Sequence, residues 1–363
     1  MVNRSVLTIN TGSSSLKASL FLVGGARHNF NYRYTAHNFE EDCQLAFTQL
    51  FNDIGNFKPD IIAHRFVHGG DITAAACLLN VMELERLHSI VHLAPLHLPI
   101  SLLGVDLCKA HFNKSNGEVK QAACFDTAFH LTMSPFAHRL PIPAKENMHR
   151  YGFHGLSYSY LASQLPSLIG SAAYGRVVMA HLGSGASLCL LQNLQSMDTT
   201  MGYTPAGGIC MATRSGDIDP GVMLELARRH DVDILSDITN NQMGLFALSD
   251  GESGEMDKLL KSTAISAKFA VDYFCREVAA AIGSLAAKAG GIDALVFSGG
   301  IGEHAAEVRA KICVPLAFIG IKLDEAANLQ QIEKLHQPDS LPILRIETDE
   351  EIVMHGLVKS LVC

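Results

Sequence analysis

The sequence has little charge: Asp, Glu, Lys and Arg make up 18% of its 363 residues against 48% apolar, which excludes disorder by composition and predicts surface buried between layers or subunits. It has no basic block, and 28 Lys and Arg against 36 Asp and Glu leave a net charge of −8, so no nucleic-acid partner is expected. Any anion has to be held locally. It has no long hydrophobic run; the longest nearly unbroken apolar stretch, 278–287, is far short of the roughly 20 residues that a bilayer-spanning helix needs, so no membrane partner is expected. No succession of charged, apolar and cleavage-site regions opens the chain, and a cytoplasmic protein is expected. Its nine cysteines are scattered and never spaced as CxxC, which predicts reduced thiols packed in cores rather than a disulfide framework or a zinc site. No Gly-Lys dipeptide occurs, which excludes the Walker A loop and the P-loop kinases.

The length predicts two domains. Residues 6–22 read as strand, Gly/Ser turn, strand, with Leu16, Ala18, Leu20 and Leu22 at period two. Residues 177–191 repeat the design, with Asn10 matching His181, Gly12 matching Gly183 and Ser13 matching Ser184, so the chain looks duplicated. Alternating strand and helix signals at 61–70 and 119–130 suit an α/β layered fold. Asp219 and Pro220 form a cap and first-turn pair for a helix to Arg229. Ile265, Phe269, Phe274, Val278, Ile282 and Leu285 predict a buried helix over 262–289 that Gly290 and Gly291 close. It feeds a strand ending in glycines at 299–302, then a helix over 305–312.

Glycine and serine turns let backbone N–H groups approach phosphate without a Cβ in the way, and three of them (12–15, 183–185, 299–302) in one chain invite a nucleotide reading. Lys17 adds a positive charge. Residues 300–305 also match the looser fingerprint GxGxxA, which keeps a dinucleotide fold as the alternative. Arg65 and Arg214 each stand beside a glycine turn, where a guanidinium can grip a carboxylate or phosphate by two parallel bonds; a surface ion pair is the plain alternative for each. Asp126 follows an apolar strand and suits either a site at the strand's end or a turn cap. His154 and His181, two of 17 histidines, read singly as core or capping groups.

The segments NTGSSSLK (10–17), HRFVHGG (64–70), LAPLHLPISLLGV (93–105), FDTAFHLTMSPFAHRLPIP (125–143), RYGFHGLSYSYL (150–161), HLGSGAS (181–187), DTTMGYTPAGGICMATRSGDIDP (198–220) and FSGGIGEHAAEVRAKIC (297–313) closely resemble, in order, the acetate kinase family. The resemblance implies an α/β fold of duplicated actin-like ATPase (ribonuclease H-like) domains with a nucleotide cleft between them, in a homodimer. Domains are expected at 1–127, completed by about 350–363, and at 128–349. It implies Mg²⁺-dependent, reversible phosphoryl transfer from ATP to acetate, giving acetyl phosphate and ADP. Propionate or another short carboxylate is the alternative acceptor, pyrophosphate the alternative donor, and a nucleotide-driven conformational protein without turnover the alternative class.

Position by position, the resemblance implies Asn10 and Glu350 as magnesium holders and Lys17, Ser13 and Ser15 as phosphate contacts. It implies Arg65, Asp126, His154, His181 and Arg214 as active-site residues, and Val67, Leu96, Phe153 and Pro205 as the methyl pocket. His181, Leu182, Gly183, Ser184 and Gly185, with Gly300, Ile301, Gly302, Glu303 and His304, match its nucleotide loops. Ser184, His304 and Leu98 stand where the family usually has Asn, and Glu255, Met256 and Asp257 align with a segment beside the adenosine that normally carries a cation. The expected chemistry is electrostatic: arginines, histidine and backbone donors from both halves bring two anions together, and Asp126 orients a cation instead of taking a proton.

Overall fold

The two strands expected within 6–22 form: β1 (Val6–Thr11) and β2 (Ser15–Phe21) pair antiparallel, with Asn10 opposite Lys17. The computed structural model describes residues 4–12, 15–34, 39–112 and 118–361, so Ser13 lies outside the described residues. The chain separates into two units, Met1–Phe129 with Asp349–Cys363, and His130–Thr348.

The first unit carries a six-stranded sheet ordered β3-β2-β1-β4-β6-β5, where β3 is Arg27–Arg33, β4 Ile61–Phe66, β5 Ala76–Leu78 and β6 Lys120–Phe125. Side chains alternate across a strand. Leu7, Ile9, Ala18 and Ile62 therefore meet Phe47 and Leu50 of the helix Phe39–Ile54 and Cys108 and Phe112 of the helix Leu98–Phe112 in one buried core. Asn10 leaves the sheet on the face opposite Ile9, and parallel pairing of Ile9 with His64 puts Arg65 beside it. The helix Glu350–Leu361 lies against β1, β4 and β6 and brings its first turn to that face.

The second unit repeats the design in a five-stranded sheet, β11-β10-β7-β8-β9: β7 is Arg176–Leu182, β8 Ala186–Gln192, β9 Gln195–Thr199, β10 Ala294–Ser298 and β11 Ile343–Arg345. In each sheet an antiparallel three-strand meander fills one side, and two later strands follow in parallel beyond its first strand, β4 then β6 in the first unit and β10 then β11 in the second. This mixed order differs from the doubly wound parallel sheet that the dinucleotide alternative requires. Asp219 caps the helix Pro220–Arg229 by accepting from the Gly221 N–H.

Two expectations need correction. The helix Ile265–Ala289 forms and ends on Gly290 in the left-handed region, and Phe274, Val278, Ile282 and Leu285 are buried, but Ile265 is 90% and Phe269 55% exposed. Both lie on the outer face of the helix, whose other face buries Ala267, Ala270 and Val271 within the same first turns. The glycines after β10 form a short helix, Gly299–His304, instead of an open turn, because the Glu303 carboxylate folds back to accept from the Gly299 N–H at 2.9 Å and the Ser298 hydroxyl at 3.2 Å. The eight described cysteines are free thiols, seven of them buried. Among the described residues no helix is long and apolar enough to cross a membrane.

Candidate active site

In the first unit Arg65 is the hub. Its Nε and Nη2 donate to Asp126 Oδ2 at 3.0 and 2.7 Å, and its Nη1 donates to Asn10 Oδ1 at 3.1 Å and Glu350 Oε2 at 3.0 Å. Of the five guanidinium N–H groups one on Nη2 is left over. Burial opposes the charge, but Asp126, Glu350 and Glu351 outweigh it and hold the Arg65 pKa above its ordinary value. Asn10 Nδ2 in turn donates to Glu350 Oε2 at 2.8 Å and Glu351 Oε1 at 2.9 Å. Asp126 begins the turn directly after β6 and is fully buried. Asp126, Glu350 and Glu351 surround the Arg65 guanidinium, and Arg27 Nη2 lies 3.9 Å from Glu351 Oε2 as a second cation of the cluster. Burial, then the neighbouring Glu350, push the Glu351 pKa up, with Lys17 and the Asn10 amide working the other way. Lys17 and Ser15 sit on β2, Lys17 exposed across from Asn10. Val67 is buried and Leu96 half-buried.

In the second unit the turn after β7 gathers the cations. The Gly183 N–H donates to the Gly185 carbonyl at 3.1 Å, closing the turn 183–185, and the Ala212 N–H donates to the Ser184 carbonyl at 3.1 Å, drawing the segment that carries Arg214 against it. The turn brings two side chains close to Gly185: a Cβ there would lie 2.8 Å from Arg214 Nη2 and 3.3 Å from His154 Nε2. Arg214 is 8% exposed, and its one side-chain hydrogen bond among the described residues runs from Nη1 to the carbonyl of Pro205 at 2.7 Å. Burial with no carboxylate beside it pushes its pKa down to about 10. A buried cation of this kind is stabilised by an incoming anion.

His154 occupies a left-handed backbone conformation (φ 58°) just before the helix Gly155–Ile169 and shares a hydrogen bond of 2.8 Å between Nδ1 and Ser187 Oγ. His181 pairs in the same way with Ser157 Oγ at 2.8 Å, and the two imidazoles stack with centroids 4.4 Å apart. Phe153 is fully buried and its carbonyl pairs with His130 Nε2 at 2.9 Å; Pro205 is buried as well.

The glycines after β10 lie against the same turn. Gly299 has φ 75°, and a Cβ on it would come within 2.7 Å of the Leu182 carbonyl oxygen, so β10 delivers its backbone directly onto the end of β7. Gly300 and His304 are exposed, Ile301 is half-buried, and Gly302 and Glu303 are buried. Glu303 spends its carboxylate on Ser298, Gly299 and the Thr348 N–H, so it holds the loop's shape. Glu255 and Asp257 are exposed and paired with Lys258 and Lys261, whereas Met256 is buried.

Each unit thus collects its own expected residues: Asn10, Arg65, Asp126 and Glu350 in one, His154, His181, residues 183–185, Pro205 and Arg214 in the other. Reading the sequence missed the groups that aim them. Ser187 stands opposite His181 in the β7–β8 register, and Ser157 follows His154 by three residues, so both lay inside the quoted motifs without a signal marking them. Glu351 sits beside Glu350 and was missed because adjacent acids at a helix start read as capping charge.

The model of the acetokinase family matches residues 28–355. An acetate kinase of Rhodopseudomonas palustris is 40% identical over 303 residues, which covers 81% of this chain and 75% of its own. One from Chromobacterium violaceum is 34% identical over 390 residues, covering 97% of each chain. Among solved structures, a propionate kinase from Francisella tularensis matches with a TM-score of 0.87 at 29% identity, covering 99% of this chain and 100% of its own. The repeated mixed sheets are those of the duplicated actin-like ATPase fold. The chain belongs to the acetokinase family.

Proposed function

We propose that this chain catalyses reversible phosphoryl transfer from ATP to a short carboxylate, acetate first and propionate as the alternative, giving an acyl phosphate and ADP. The observation that carries the reading is Arg214, a buried guanidinium with one carbonyl partner and no carboxylate, meeting the Ser187-held ring of His154 at the open α-carbon of Gly185. A short carboxylic acid has a pKa of about 4 to 5, so at neutral pH the acceptor is already an anion and needs no general base. The work left is to hold two anions together and to stabilise charge spreading over the transferring phosphoryl. Arg214 and His154 supply donors for its oxygens. The spare Nη2 N–H of Arg65 supplies one for the carboxylate, and Asp126 fixes the plane of that guanidinium.

Asn10 and Glu350 carry hard oxygen atoms of the kind that would hold Mg²⁺, an ion that takes few carboxylates and keeps several waters. When bound, Mg²⁺ neutralises charge on the nucleotide's phosphates. Val67, Leu96, Phe153 and Pro205 are the methyl-pocket residues of this reading, residues 181–185 and 300–304 its nucleotide loops, and a homodimer its assembly. The exposed acids Glu255 and Asp257, in the segment aligned with the adenosine side, favour pyrophosphate as a second donor to be tested. Trapping acyl phosphate as a hydroxamate, with acetate and Mg²⁺ plus either ATP or pyrophosphate, tests the reading; product is expected with ATP, and none with either donor overturns it.

A further inference from the structure

The second unit holds a cavity of about 640 Å³ that the proposed chemistry does not use. Arg139, Arg150, Arg176 and Lys288 line it against a single acid, Asp198, in a chain whose net charge is −8. Two of these cations are neutralised locally: Arg176 grips Asp293 by a bidentate pair, and Lys288 Nζ lies 2.6 Å from Asp198 Oδ2. The other two are not. Arg139 makes no side-chain hydrogen bond or ion pair among the described residues. Arg150, half-buried, donates through Nε to the Ala137 carbonyl and through Nη1 to the carbonyls of Thr199, Thr200 and Met201, all uncharged partners, which leaves its Nη2 edge open. Phe136, Leu140, Pro141 and Met197 supply apolar wall beside these guanidiniums.

The cavity stands apart from the phosphate turn. Arg176 opens β7 and Leu182 closes it, so strand length alone separates the two by roughly 16 Å or more. A covalent link nevertheless runs from one to the other. Arg150 clamps the carbonyls of 199–201, the Tyr151 N–H donates to the Gly202 carbonyl at 3.0 Å, and the same stretch continues through Phe153 to His154. Gly152 leaves no slack in it, since a Cβ there would lie 2.6 Å from the His130 ring.

We propose that this cavity is an anion site for a small molecule with two negative charges on a short aliphatic body, and that Arg150 relays its occupancy to His154. Two guanidiniums without acidic partners match a carboxylate or phosphate head by paired hydrogen bonds, and the volume suits a small organic molecule better than a bare ion. The binding claim stands without the proposed reaction.

The test is calorimetric titration of the full chain with succinate, propyl phosphate and inorganic phosphate, each with and without a saturating non-hydrolysable ATP analogue. Succinate or propyl phosphate is expected to bind at one site per chain, at least tenfold more tightly than inorganic phosphate, with the analogue having no effect. Preference between the two organic anions identifies the head group. Arg139→Gln is expected to weaken binding at least tenfold and to leave basal turnover unchanged. In the imidazole NMR spectrum the His154 signals are expected to shift on addition of the tighter ligand to the wild type. Equal affinity in Arg139→Gln, displacement by the analogue, or no binding of either organic anion overturns the site; binding with unmoved His154 signals overturns the relay. Conversion of a dimer to a monomer by Arg139→Glu assigns the cavity to a second copy of the chain and also overturns the site.

Discussion

Ser187 Oγ pairs with both His154 Nδ1 at 2.8 Å and the hydroxyl of Tyr158 at 2.6 Å, so the imidazole that faces Gly185 is aimed by a group that itself cannot rotate freely. Ser187→Ala removes the aim while keeping the ring, and turnover is expected to fall about 10- to 100-fold with the fold preserved, measured by steady-state kinetics alongside circular dichroism. Undiminished turnover would remove Ser187 from the account. Size discrimination is a weaker effect, because one methylene is worth about 1 to 3 kcal/mol. Propionate should therefore be a slower substrate, and Val67→Ala, which widens a buried wall, should narrow the acetate-to-propionate ratio in kcat/KM. An unchanged ratio counts against Val67 as a pocket residue.

At the scale of elements, the two hairpins and the β10 glycines carry the chemistry. Gly299 and Gly300 are neighbours with opposite requirements: a Cβ on Gly299 meets the Leu182 backbone at 2.7 Å with φ 75°, whereas nothing lies within 4 Å of one on Gly300. Gly299→Ala is expected to cost at least about 1 to 3 kcal/mol and Gly300→Ala well under 1 kcal/mol, read from thermal denaturation. Equal losses would mean that the strand end is looser than described.

These elements were largely legible. The Gly/Ser turns between period-two strands announce hairpins through local chemistry alone, and Asp126 at the end of a continuous apolar run announces the end of β6. What stayed illegible depends on contacts distant in sequence. The exposure of Ile265 and Phe269 is decided by which face of the long helix packs, the one carrying Ala267, Ala270 and Val271. The helical turn at 299–304 depends on a carboxylate folding back, and the pairing of Arg65 with Glu350 joins residues 285 positions apart. The resemblance names Arg65, Asp126 and Glu350 one by one; that they share a single guanidinium is visible only in the fold.

At the scale of the whole molecule, each unit holds a buried histidine whose proton uptake is opposed by its surroundings. Burial lowers the pKa of His64 in the first and His130 in the second to about 4, against hydrogen bonds to the Gln121 side-chain oxygen and the Phe153 carbonyl that work the other way. A folded-state pKa below the ordinary 6.5 means that the unfolded chain takes up the proton first. Stability is therefore full above about pH 6.5 and is lost as pH falls toward about 4, on the order of 3 kcal/mol for each histidine. The urea midpoint should fall between pH 7 and pH 4.5, and His130→Gln should flatten that fall; a midpoint independent of pH contradicts the burial.

The claim on which the rest depends is that a buried, acid-free guanidinium stabilises a phosphoryl group passing to a carboxylate. It is tested most directly by the turnover of hydroxamate-trapped acyl phosphate, from acetate, ATP and Mg²⁺, in the wild type and in Arg214→Ala. The account predicts a fall in kcat on the order of 10² or more with a far smaller change in the KM for acetate. A variant that turns over as fast as the wild type would contradict it.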